Sequence, residues 1–84
     1  MTYTVLLPRT VQKALDRLPD EIAGRVLKKL GSLQSSPRPT DGKKLKGRDA
    51  WRVRVGDYRI IYEIESDRLL VYVLRIGHRR DVYR

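Results

Sequence analysis

The 84 residues predict an α+β fold in the order β-α-α-β-β-β, an N-terminal helix hairpin packed on a small, curled, mainly antiparallel sheet. Three observations carry that reading. Apolar residues recur at helical spacing as far as Leu33, they alternate at strand spacing from Trp51 onward, and prolines and glycines cluster between the two halves. A chain of this size buries roughly 60% of the surface its unfolded form exposes, enough for one domain over residues 1–84 and too little for two. With 40% hydrophobic and 35% charged residues it has the apolar content to fold rather than remain disordered.

Tyr3 to Leu7 is a short β-favouring run closed by Pro8, which cannot donate to a ladder but can open a helix. From Arg9 to Leu18, Val11, Ala14, Leu15 and Leu18 form the stripe of a helix with one buried face, which stops at Pro19. Pro19, Asp20 and Glu21 start a second helix with acidic residues in its first turn, and its stripe continues through Ile22, Val26, Leu27, Leu30 and Leu33. Ser35 to Gly47 has no usable period and reads as a loop. Trp51, Val53 and Val55 then alternate with Arg52 and Arg54, a strand with one apolar and one basic face. Tyr58 to Glu65 and Leu69 to Ile76 complete a three-strand meander.

Gly56-Asp57 places glycine first in a two-residue hairpin loop, the signal of a type II′ turn, and this sets a register. Counting outward pairs Val55 with Tyr58, Arg54 with Arg59, Val53 with Ile60 and Arg52 with Ile61. Opposed side chains have Cβ atoms ~4.5 to 5.5 Å apart, where like charges destabilise a sheet. A fold with no use for an Arg54–Arg59 pair should avoid it. Extending the count brings Ile76 opposite Asp57, so that His78, Arg79 and Arg80 emerge beside the same hairpin. Trp51, Tyr58 and Tyr62 share a parity with Val53, Ile60 and Ile64 and are assigned to packing.

Nineteen Lys and Arg against ten Asp and Glu give a net charge of +9, with most of the excess after residue 42, which implies a polyanionic partner. The absence of cysteine excludes a disulfide framework and a thiolate nucleophile, and fits a reducing compartment. One histidine excludes a His-rich metal site; no cofactor is expected. No apolar stretch approaches the ~20 residues of a spanning helix, and no signal segment opens the chain, so a cytoplasmic location without a membrane partner is expected.

Arg52, Arg54, Arg59, Arg79 and His78 are expected to converge on one rim of the sheet, with Lys43, Lys44, Lys46 and Arg48 on the adjoining loop and Arg80 following. Guanidinium groups donate paired hydrogen bonds to phosphate and stay charged, which suits holding a phosphodiester and stabilising a pentacovalent transition state. Histidine is the side-chain type suited to acid/base work near neutrality, and His78 is the one available. Tyr83 supplies a ring for stacking on a base or a phenol that can donate. These parts suffice for RNA cleavage by the 2′-hydroxyl without a metal. Loop solubility explains Lys43 to Arg48 as well as RNA contact does, and an acidic protein partner would explain the Arg54–Arg59 pair as well as RNA does.

The element order, with "KLKGRDAWRVRVGDYRIIYEI" and the closing "IGHRRDVYR", resembles the RelE toxins of bacterial and archaeal toxin-antitoxin systems over nearly the whole chain. The resemblance implies a ribosome-dependent endoribonuclease that cuts messenger RNA and is neutralised by a cognate antitoxin carrying an acidic segment, in a complex able to bind operator DNA. By that resemblance Arg52 and Arg54 stand where the best-studied members have lysines, Arg59 matches an arginine on the scissile phosphate, Arg79 a second arginine of the site, and Tyr83 a tyrosine near the C-terminus. Arginine at 52 and 54 removes the side chains most easily cast as proton acceptor, which makes His78 the leading candidate for the base; the segment between Arg79 and Tyr83 is shorter than in those members. The related ParE toxins share pieces such as "YRIIYEI", and a ParE-like inhibitor of DNA gyrase without nuclease activity is the alternative.

Overall fold

The computed structural model describes residues 2–46, 49–78 and 80. In chain order it contains β1 (Thr4–Leu6), α1 (Arg9–Asp16), α2 (Asp20–Ser32), β2 (Lys43–Lys44), β3 (Ala50–Val55), β4 (Tyr58–Glu65), a 3-10 turn (Ser66–Arg68) and β5 (Leu70–His78). The strands form one sheet in the order β1-β5-β4-β3-β2, with β1 parallel to β5 and every other pair antiparallel.

Both helices begin on a proline, Pro8 and Pro19, whose fixed φ is pre-set for the step into a first turn. Helix α1 ends at Asp16, earlier than the apolar stripe suggests. Pro19 disfavours the helical region for the residue before it, and the Arg17 and Leu18 N–H groups instead close tight turns onto the Ala14 and Leu15 carbonyls. The helices lean on the sheet, α1 on β5 and α2 on β3. Between them and the sheet lie Val11, Val26, Leu30 and Leu33 from the N-terminal half, with Val53, Val55, Ile60, Tyr62, Ile64, Val71, Val73 and Ile76 from the strands. Burying each of these side chains contributes on the order of 1.5–3 kcal/mol before the entropy of ordering is counted.

The β3–β4 register is the one counted from the Gly56-Asp57 turn, with Arg54 directly opposite Arg59, and Gly56 has the φ of +60° that such a turn demands. The register of β5 differs from expectation. Ile76 pairs with Ile60 rather than Asp57, and two local irregularities account for two of the three positions. Leu69 adopts a left-handed conformation (φ 53°) and extends the turn between β4 and β5 by one residue. Further along, Ile61 pairs with Arg75 while Tyr62 pairs with Val73, so Leu74 is an extra, bulged residue. The segment after Ser35 also departs from a simple loop. Lys43 and Lys44 pair with Arg52 and Trp51 as a two-residue strand at the sheet edge.

A polar clamp holds that segment in place. Arg38 donates to the Asp49 carboxylate and to the Ser66 hydroxyl, Trp51 Nε1 donates to Asp49 Oδ1 at 2.6 Å, and the Tyr62 hydroxyl donates to the Pro37 carbonyl at 2.8 Å. Burial alone would raise the Asp49 carboxyl, but the bonds from Trp51 and Arg38 outweigh it and hold the group below its ordinary value. The clamp ties both ends of the lysine-bearing segment to the sheet.

Candidate nucleic-acid interface

Alternation along the strands sorts the sheet into two faces. One carries the valines, most of the isoleucines and Tyr62 that meet the helices; the other carries Arg52 and Arg54 from β3, Arg59, Ile61 and the acidic Glu63 from β4, and Tyr72, Arg75 and Gly77 from β5. Two rows of cations cross this second face. The first runs Lys43, Arg52, Ile61, Arg75, each opposite the next. The second runs Arg54, Arg59, Gly77, and ends where glycine leaves no side chain beside the Arg59 position. Among the described residues no helix covers this face.

These positions follow from local chemistry. The hairpin turn fixes Arg54 against Arg59, and the bulge at Leu74 swings Arg75 onto the open face while turning Ile76, 6% exposed, into the core. Arg52 and Arg59 are half-buried, so the sheet itself holds their guanidinium stems, whereas Arg54, Arg75 and Lys43 are exposed. A phosphodiester laid across these rows would meet fixed, planar donors.

The structure does not bring His78 to this face. The same bulge shifts its parity, so that His78 pairs with Tyr58 and its ring meets the tyrosine edge to face, with centroids 5.5 Å apart and planes at 82°. Tyr58 has the parity of the core residues Ile60 and Tyr62, which puts the imidazole on the helix side of the β5 end. Its Nδ1 accepts a 3.3 Å bond from the backbone N–H of Arg80, itself exposed. Lys44 pairs with Trp51, and Lys46 is exposed just beyond β2. Arg48, Arg79 and Tyr83 lie outside the described residues.

The family of ParE toxins of type II toxin-antitoxin systems (parDE) matches residues 5–83. The chain belongs to the RelE/ParE toxin superfamily. Within it the similarity runs to proteins with RelE-type names. Toxin RelG of Mycobacterium tuberculosis is 36% identical over 87 residues, spanning 100% of this chain and 99% of that protein. The putative toxin RelE1 of Methanocaldococcus jannaschii is 30% identical, spanning 100% and 98%. Among solved structures, the archaeal RelE–RelB complex from Pyrococcus horikoshii superposes with a TM-score of 0.83 at 31% identity, covering 98% of this chain and 100% of its counterpart. This toxin is thus a RelE-family member of a type II toxin-antitoxin system, and its mixed five-stranded sheet with two helices is the RelE fold.

Sequence reasoning missed two groups of cations on this toxin. Arg75 was hidden because nothing in "VYVLRIGH" marks Leu74 as a bulge. Arg25, Lys28 and Lys29 line a groove of about 460 Å³ between α2 and β3 together with Ser32, Arg54 and Val55. Their spacing at i, i+3, i+4 and i+7 on one helix face was available as a signal.

Proposed function

We propose that this toxin is a ribosome-dependent messenger-RNA endoribonuclease that needs no metal. The single observation supporting this most is the direct opposition of Arg54 and Arg59 on a face that no described element covers. Like charges at that separation cost a sheet about 0.2–1 kcal/mol, and a bound phosphate removes the cost. In the reaction the 2′-oxygen attacks the adjacent phosphorus and the P–O5′ bond breaks, leaving a 2′,3′-cyclic phosphate and a 5′-hydroxyl. The 2′-hydroxyl proton passes to a base and the departing 5′-oxygen takes one up. Arg59 and Arg54 hold the phosphate oxygens as charge develops, with Arg52 and Lys43 on the neighbouring nucleotide. Arg79 and Tyr83 join them by family resemblance. His78, on the helix side, is expected to matter less than Arg59.

The site supplies charge rather than a strong base, so the RNA must arrive bent for in-line attack. Delivery by the ribosome meets that need, since well-oriented intramolecular reactions reach effective molarities of ~10⁵ M or more. The toxin would then act in the cytoplasm, restrained by an antitoxin whose acidic segment covers its basic surface, much as the P. horikoshii RelE is held in a complex with RelB.

The test is induction of the toxin followed by mapping of transcript ends. Codon-positioned cuts in translated messages are expected, with Arg59→Ala and Arg54→Thr abolishing them, and Arg54→Thr melting no lower than wild type because a repulsive pair has been removed. Intact messages in arrested cells would end the nuclease reading. The match to the ParE family favours one alternative, a gyrase inhibitor, in which case the same culture would show supercoiling defects with its messages whole.

A further inference from the structure

The groove between α2 and the outer part of β3 has a volume of about 460 Å³, and its lining is basic on both walls. On the helix wall Arg25, Lys28 and Lys29 present one face, and Arg54 rises from the strand wall. The groove opens where it does because β2 pairs with Trp51 and Arg52 alone, so that among the described residues no strand flanks Val53 to Val55 on that side and the Arg54 side chain can reach around the edge. Arg25 also closes over the hairpin tip. Its guanidinium nitrogens lie 3.5 and 4.0 Å from the position a Cβ on Gly56 would take. Arg54 is therefore shared, facing Arg59 across the strands and lining the groove toward α2.

We propose that this groove is a second phosphate-binding subsite, taking the RNA backbone as it leaves the Arg54–Arg59 face and turns around the β3 edge onto α2. The inference rests on the ribonuclease reading and extends it from one scissile phosphate to a path. Continuity of cations decides in favour of a flexible polyanion. Arg59, Arg54 and Arg25 lead from one face of the sheet to the other without an intervening carboxylate at the hairpin tip other than exposed Asp57. Within the groove Lys29 is paired with Asp41 at 2.8 Å, which pins that lysine in place. Arg25 and Lys28 are exposed, so truncating them leaves the core intact.

The probes are a 12-nucleotide and a 3-nucleotide single-stranded RNA, 2′-O-methylated so that binding is read without cleavage, with the full chain. For the double variant Arg25→Ala/Lys28→Ala the 12-mer is expected to bind about tenfold more weakly at physiological salt, and the slope of log K against log salt to fall by ~1.4, or ~0.7 per lost phosphate contact. The 3-mer, which fills only the sheet face, should be unaffected, because at that salt charges more than ~8 Å away are largely screened. Charge-preserving Arg25→Lys/Lys28→Arg should restore the 12-mer affinity, and thermal melts of both variants should match wild type. Equal losses for both lengths, no loss for either, or a loss confined to a poly-glutamate peptide would overturn the subsite. The nuclease reading fails separately. Uncut messages with the length-dependent loss intact would leave an RNA-binding groove on a toxin of other activity, and cut messages without that loss would remove the groove alone.

Discussion

A phenol with no exposed surface must still place its hydroxyl. Tyr62 is 0% exposed and donates to the Pro37 carbonyl at 2.8 Å, which makes one hydrogen bond the link between the central strand and the loop that precedes β2. Tyr62→Phe should cost about 1 kcal/mol at neutral pH. In a domain of this size that lowers the melting temperature by about 4–8 °C. Burial also pushes the Tyr62 phenol above its ordinary value of 10.0. A folded state that holds its proton longer than the unfolded chain loses stability as pH rises past that value, so the Tyr62 phenol's share of the stability fades there in wild type and is absent throughout in the phenylalanine variant. Melts at neutral pH and above pH 10.0 should show the gap between the two narrowing; a constant gap would mean the phenol does not carry the effect. Tyr62 was readable in the sequence as a packed aromatic from its parity. Its partner was not, because nothing local ties residue 62 to residue 37.

At the scale of elements, α2 carries glycines at 24 and 31 where a Cβ would meet nothing within 4 Å. Each weakens the helix with no packing gain among the described residues. Gly24→Ala is expected to stabilise by about 0.5–1 kcal/mol and raise the melting temperature accordingly, with RNA cleavage unchanged. A drop in melting temperature would reveal a role for the missing side chain. The strands show where element-level reading succeeds and fails. The β3–β4 pairing was legible because a two-residue Gly-Asp loop permits one register. β5 was legible as a strand but not in register, since a left-handed Leu69 and a bulged Leu74 are ordinary leucines in composition. That misreading moved His78 from the helix side to the arginine face, because one extra residue reverses every later side chain.

For the molecule as a whole, the segment that carries Lys43, Lys44 and Lys46 is held by two carboxylates. Asp49 is clamped by Trp51 and Arg38, and Asp41 bonds Lys29, which holds its carboxyl low as well. Both folded values lie below the ordinary 3.8, so the stability they contribute is present above that pH and is lost as pH falls through the folded values. Melting temperature should decline below about pH 4. Asp49→Asn should begin lower at neutral pH and decline less; parallel curves would place the acid sensitivity elsewhere. Because the Asp41 side chain is 53% exposed and that of Asp49 30%, most of the effect is expected at Asp49.

The amino-acid order by itself determined the α+β element sequence, the excess of positive charge and the Arg54–Arg59 opposition, since each depends on periodicity, composition or a short turn acting over a few residues. Only the tertiary structure decided that Arg75 joins those arginines, that His78 does not, and that Arg25 and Lys28 face Arg54 across a groove. Those placements depend on strand slippage and on helix-to-sheet packing, in which residues far apart in the chain set one another's positions and no local pattern records the outcome.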